Sequence, residues 1–125
     1  MPRNKLIAFL LLSAFAAVSN AADDAAAALN RMYGEFWEEN LQLNPLSATY
    51  AGDPRYNAEL PNSLSREYED QKRAFNRKYL ERAHAIGSTG LAGQDRLSYD
   101  IFTLNRESAL EELDYPQRLI PINQF

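Results

Sequence analysis

Three stretches of the chain carry apolar residues at helical spacing. In the first, Ala22 to Leu43, the residues Leu29, Met32, Tyr33, Phe36, Trp37 and Leu41 fall at i, i+3, i+4, i+7, i+8 and i+12. That spacing places them on one face of a helix, while Asn30, Arg31, Glu35, Glu38, Glu39 and Gln42 cover the other. Asp23 and Asp24 stand near the start, where negative charge meets exposed N–H groups, and Pro45 opposes continuation past Leu43. The second stretch predicts a helix over 66–86, with Ser65 as its cap and Gly87 as its stop. Its seam is Tyr68, Lys72, Phe75, Tyr79, Arg82 and Ile86, widened by Ala83. The third opens at Gln94 or Asp95 and closes near Leu113. Leu97, Ile101, Phe102, Leu104, Ala109, Leu110 and Leu113 spread over more than one face of it, so this helix calls for partners on several sides.

Between the first two helices, residues 44–64 are punctuated by Pro45, Gly52, Pro54 and Pro61. A structureless loop of this length is uncommon in a compact domain. Tyr50 and Tyr56 predict that the segment packs on the helices as an ordered connector. Short connections favour antiparallel neighbours, and the 87–94 connection fits. The expected fold is all-α: three amphipathic helices in an antiparallel arrangement, with a long packed connector.

The N-terminus follows a different grammar. Arg3 and Lys5 precede an apolar run from Leu6 to Val18, followed by Ser19, Asn20 and Ala21. A positive segment, an apolar segment and small residues before a cleavage point make a secretory signal peptide. The apolar run is shorter than the roughly 20 residues that span a bilayer. Residues 1–21 are therefore expected to be removed after Ala21, leaving residues 22–125 as the exported helical segment. The chain has no cysteine, which suits an oxidising compartment such as a bacterial periplasm. After cleavage no membrane attachment is expected.

Composition narrows the chemistry. Hydrophobic residues make up 46% and charged residues 24%, the net charge is −4, and there is one histidine. Without cysteine there is no disulfide framework, thiolate metal site or cysteine nucleophile. The acidic balance speaks against nucleic acid as a partner, since phosphate binding needs a basic stripe. His84 has no second histidine at helical spacing and Ala85 follows it, so a three-ligand catalytic zinc site is not available. Glu35, Glu38 and Glu39, and Glu107, Glu111 and Glu112, read as solvated helix faces opposite apolar seams. No catalytic residue and no metal ligand is assigned. Arg96 and Asp100, four residues apart, read as a structural ion pair. Asn123 and Gln124, amides after the apolar run Leu119 to Ile122, are candidates for lining a cleft or for satisfying a buried turn.

Five blocks stand in a familiar order: Leu29–Glu38, Asn44–Asn57, Leu60–Ser65, Gly93–Phe102 and Leu119–Phe125. In this order and spacing the chain resembles the N-terminal region of a bacterial exported family of unknown function. That family is related to zinc carboxypeptidases of the Taq type. The resemblance covers residues 22–125. It implies a mostly helical protein of several hundred residues, whose zinc motif, a His-Glu-x-x-His variant, lies far downstream of the region matched here. None of the family's catalytic residues maps onto this chain. The resemblance implies a noncatalytic N-terminal segment of an exported zinc-metallopeptidase-like protein, with zinc belonging to a full-length relative and the remainder of the same polypeptide as its partner. The apolar stretch ending at Phe125 and the broad apolar surface of the third helix fit a fragment of a larger helical fold. The alternative is a self-contained periplasmic helical binding or adaptor module.

Overall fold

The computed structural model describes residues 3–115, with side-chain surroundings from Ala22 onward. The fold is all-α. Helix α1 spans Arg3–Leu43, α2 spans Pro45–Tyr50, α3 spans Arg66–Ile86 and α4 spans Gly93–Glu112, with a 3₁₀ turn at Pro54–Tyr56 between α2 and α3. Asn123 and Gln124 lie outside the described residues.

Helix α1 begins well before Ala22. The expected signal segment and the first amphipathic helix share one uninterrupted helix. No glycine or proline separates the apolar run from Ala21, Ala22 and Ala25–Ala28, and alanine has the highest helix propensity. The helix ends at Leu43, ahead of Pro45.

Helix α3 has the predicted bounds. Ser65 Oγ accepts from the Tyr68 backbone N–H at 3.2 Å, and Glu67 and Glu69 occupy the first turn. Gly87 closes the helix at φ +79°, ψ 175°, a backbone region essentially reserved for glycine. Helix α4 starts slightly earlier than expected, at Gly93, and its cap residue Ala92 makes no side-chain hydrogen bond.

Cross-links fix the directions of the helices. Glu35 meets Arg82 at 2.6 Å and Glu39 meets Lys78 at 2.7 Å, so α1 and α3 are antiparallel. Arg73, near the start of α3, reaches Asp114 Oδ1 and the Leu113 carbonyl at the end of α4. Helices α3 and α4 are therefore antiparallel, and α1 and α4 run the same way.

The core is aromatic. Leu29, Met32, Phe75, Tyr79 and Ala83 are buried, and Tyr33, Phe36, Leu43, Ile86, Leu91, Tyr99 and Phe102 pack against them. Phe36 is the hub, with ring centroids 5.0 Å from Phe75, 5.2 Å from Tyr79 and 5.1 Å from Phe102. Edge-to-face and offset pairs of this kind contribute about 0.5–1.5 kcal/mol each beyond area burial. The structure refines the predicted stripe of α1, because Trp37 lies at its margin and is 49% exposed.

The connector holds on at its first half. Pro45 opens α2, where a fixed φ suits a helix start. Pro45 and Ala48 are buried. Thr49 Oγ1 donates to Asn57 Oδ1 at 2.9 Å. Asp53 accepts from the Arg55 backbone N–H, and the Arg55 guanidinium bridges Asp53 and Glu38. Tyr50 does not anchor the segment, being 90% exposed, and Leu60 and Leu64 are exposed as well. In a helix of six residues only one edge faces α1, and that edge carries Pro45 and Ala48 rather than Tyr50.

Candidate functional site

The side chains with unspent chemistry gather where the C-terminal end of α1, α2, α3 and α4 meet. A cavity of about 280 Å³ lies there, bounded by Leu43, Phe75 and Ala109 on its apolar side. Its polar side holds Asn40, Asn44, Ser47, Lys72, Asn76 and Arg106.

Two amide chains shape that polar side. Tyr68 Oη donates to Asn44 Oδ1 at 2.7 Å, and Asn44 Nδ2 donates to Asn40 Oδ1 at 2.9 Å. This explains why Asn44, although it precedes α2, does not cap it with its side chain. On the opposite wall, buried Asn76 donates through Nδ2 to the Lys72 carbonyl at 2.8 Å. Its Oδ1 accepts from Arg106 Nη1 at 2.7 Å.

Arg106 is the unusual group. Its guanidinium carbon stands 4.6 Å from the Phe36 ring centroid and 5.6 Å from that of Phe102. Stacking on aromatic faces suits a weakly hydrated guanidinium. Its Nε is buried with no hydrogen-bond partner. Burial lowers its pKa, but a guanidinium stays protonated in a protein. Burial also raises the Tyr68 hydroxyl above its ordinary value.

Sequence reasoning did not single out these residues. The signal was present: Asn76 lies four residues after Lys72 and three before Tyr79, so it shares the seam of α3. Arg106 follows Phe102 by four on the inner face of α4. A polar residue at a seam position has to be hydrogen-bonded inside the fold.

The predicted Arg96–Asp100 ion pair lies elsewhere. Arg96 Nε donates to both oxygens of Asp100, at 3.0 and 2.9 Å, on the exposed surface of α4. His84 Nε2 is 4.0 Å from Glu107 Oε1, and both side chains are about half exposed. A catalytic zinc takes three protein ligands in close tetrahedral array, and this pair does not fit one. Among the described residues no group of three or more histidine, aspartate or glutamate side chains is placed to hold a metal. Among the same residues no helix is long and apolar enough to cross a membrane.

A second surface is apolar. Leu97, Ile101 and Leu104 are 51%, 49% and 60% exposed and follow one another at helical spacing along α4. Ile101 also borders a groove between α1 and α4 that Asn30, Tyr33 and Asn105 help to line. The Tyr33 hydroxyl beneath it is buried without a hydrogen-bond partner. Trp37 continues the same edge of α1 one turn beyond Tyr33.

No protein-family model, curated protein or solved structure matches the chain.

Proposed function

We propose that residues 22–125 are the noncatalytic N-terminal helical segment of an exported zinc-metallopeptidase-like protein, and that residues 1–21 are its signal peptide, cleaved on export to the periplasm. The exposed Leu97–Ile101–Leu104 stripe of α4 carries this reading. Isolated apolar residues on a surface are ordinary, whereas a contiguous stripe marks an interaction surface. On this reading the remainder of the same polypeptide covers that stripe. The helices act as scaffold or cleft wall, with Asn123 and Gln124 as candidate cleft-lining residues. Zinc, peptide binding and hydrolysis belong to the downstream part, and no catalytic step is assigned to this chain.

The intact mass of the native product, with both termini mapped, tests this. A polypeptide that begins at Ala22, continues for several hundred residues and carries a His-Glu-x-x-His segment is the expected result. A product beginning at Ala22 and ending at Phe125 overturns it.

The donor-rich cavity favours a second reading, a self-contained periplasmic binding module, because its polar groups all come from one packed unit of α1, α2, α3 and α4. A cooperative thermal transition and a single monomeric species for the 22–125 chain are what that reading expects.

A further inference from the structure

We propose that the cavity between α1, α2, α3 and α4 is a binding site for a small oxyanion, a carboxylate or phosphate group held by Arg106 and Lys72. Three observations meet there.

The first is charge. Arg55, Arg73, Arg82 and Arg96 each meet a carboxylate within 3 Å. Arg106 meets only the neutral amide of Asn76. Lys72, on the same cavity, forms no ion pair among the described residues, and no carboxylate lines the cavity. Arg106 therefore sits in a partly desolvated space that no carboxylate lines, beside Lys72, which also borders an adjoining hollow lined by Glu69 and Glu112. A charge in such a place is costly unless it is paired.

The second is hydrogen-bonding capacity. The amide oxygens of Asn40, Asn44 and Asn76 each already accept from a neighbouring side chain. The donors left over are Asn40 Nδ2, Lys72 Nζ, the Ser47 hydroxyl and the remaining guanidinium N–H groups of Arg106. A cavity with donors in surplus suits an acceptor-only ligand, and an ionised carboxylate or phosphate is one.

The third is selectivity by place. The whole chain is acidic, at −4, so its general field repels anions. Attraction has to come from this cavity. Its volume, about 280 Å³, lies just below the range of drug-sized ligand pockets, about 300–1,000 Å³, and suits a small anion. The site uses only residues of this chain and stands whether or not a zinc domain follows.

The test is nuclear magnetic resonance of the ¹⁵N-labelled full chain, titrated with sodium phosphate and separately with sodium succinate. Sodium chloride at matched ionic strength and pH is the reference. The expected result is saturable shifts at the Asn40 and Asn76 side-chain amides and at Arg106 Nε–H, with Kd on the order of 1 mM or tighter. Saturation by phosphate alone, by succinate alone or by both supports the site and identifies the group it prefers. Lys72→Gln leaves the aromatic core untouched and is expected to weaken binding about ten-fold, the worth of one charge-assisted hydrogen bond. Arg106→Met, which keeps an apolar stem against Phe36, is expected to abolish it. Non-saturating shifts, shifts matched by chloride, or undiminished binding by Lys72→Gln each overturn the proposal. If Arg106→Met does not fold, Lys72→Gln alone decides.

Discussion

Tyr79 Oη and Lys78 Nζ both donate to Glu39 Oε2, each at 2.7 Å, so one carboxylate oxygen on α1 ties down two consecutive residues of α3. The Lys78 hydrogen bond is the main cause that holds the Glu39 carboxyl below its ordinary value. Burial opposes it, and Tyr79 adds to the lowering. A carboxylate with a lowered pKa in the folded state contributes stability above its unfolded pKa, and that contribution is lost as pH falls through the folded value. The urea midpoint should therefore drop as pH falls below about 4.5, and the drop should be shallower in Glu39→Gln. Glu39 is part exposed, so the difference should stay under about 1 kcal/mol. Parallel pH profiles for the two proteins would remove Glu39 from the account.

The alkaline side has the opposite sign. Burial, helped by the bond to Glu39, raises the Tyr79 hydroxyl well above its ordinary value. Burial also raises Tyr33 and Tyr68. A tyrosine with a raised folded pKa contributes stability that is complete below the unfolded value of about 10 and is lost as pH rises through the folded one. Melting temperature should fall above pH 10, and phenolate absorbance should show Tyr33, Tyr68 and Tyr79 ionising above the ordinary tyrosine value of about 10. Tyr79→Phe should cost about 1 kcal/mol at neutral pH and soften the alkaline loss. Ionisation of Tyr79 near pH 10 would contradict this.

Phe75 and Trp37 both read as apolar face residues in the sequence, and they should behave very differently. Phe75 is buried among Phe36 and Tyr79. Phe75→Ala should cost about 3–5 kcal/mol. Trp37 is half exposed, and Trp37→Ala should stay within about 1 kcal/mol of wild type. Chemical denaturation of the two variants checks the contrast.

Helix punctuation gives a further set. Gly34 lies inside α1 with nothing within 4 Å of a Cβ built there, so Gly34→Ala should stabilise by about 0.5–1 kcal/mol. Gly87→Ala should destabilise by about 1–3 kcal/mol, because φ +79° with extended ψ strains any L side chain. Ser65→Ala removes the cap on Tyr68 N–H and should cost about 1 kcal/mol. Thermal melts of the three single variants would reveal any reversed sign.

The helices were readable because their signals are local. Ser65 and Gly87 bracket α3, Pro45 follows the end of α1, and the apolar spacing of α1 and α3 marks the faces that meet at Phe36, Phe75 and Tyr79. The position of Trp37 was not readable, since the stripe from Leu29 to Leu41 covers a wider face than the contact one neighbour can make. Tyr50 misled for a related reason: an aromatic residue in a connector says nothing about which edge of a short helix faces the core. The polar cavity was the least legible feature. Asn40, Asn76 and Arg106 come from three helices and Asn44 from the joint between α1 and α2; the bonds of Asn44 to Asn40 and of Asn76 to Lys72 are local, but the Tyr68–Asn44 and Arg106–Asn76 bonds exist only once the helices are packed together.

The Arg106–Asn76 bond also acts as a register pin. Sliding α4 along α3 by one turn, about 5.4 Å, would leave apolar residues facing apolar residues, an exchange that hydrophobic contact alone resists weakly. It would also tear the guanidinium from Asn76 Oδ1 and strand it among phenyl rings, at a cost of about 1–3 kcal/mol for the unpaired group. Greasy surfaces tolerate slippage, and one polar latch among them singles out a single alignment of the two helices.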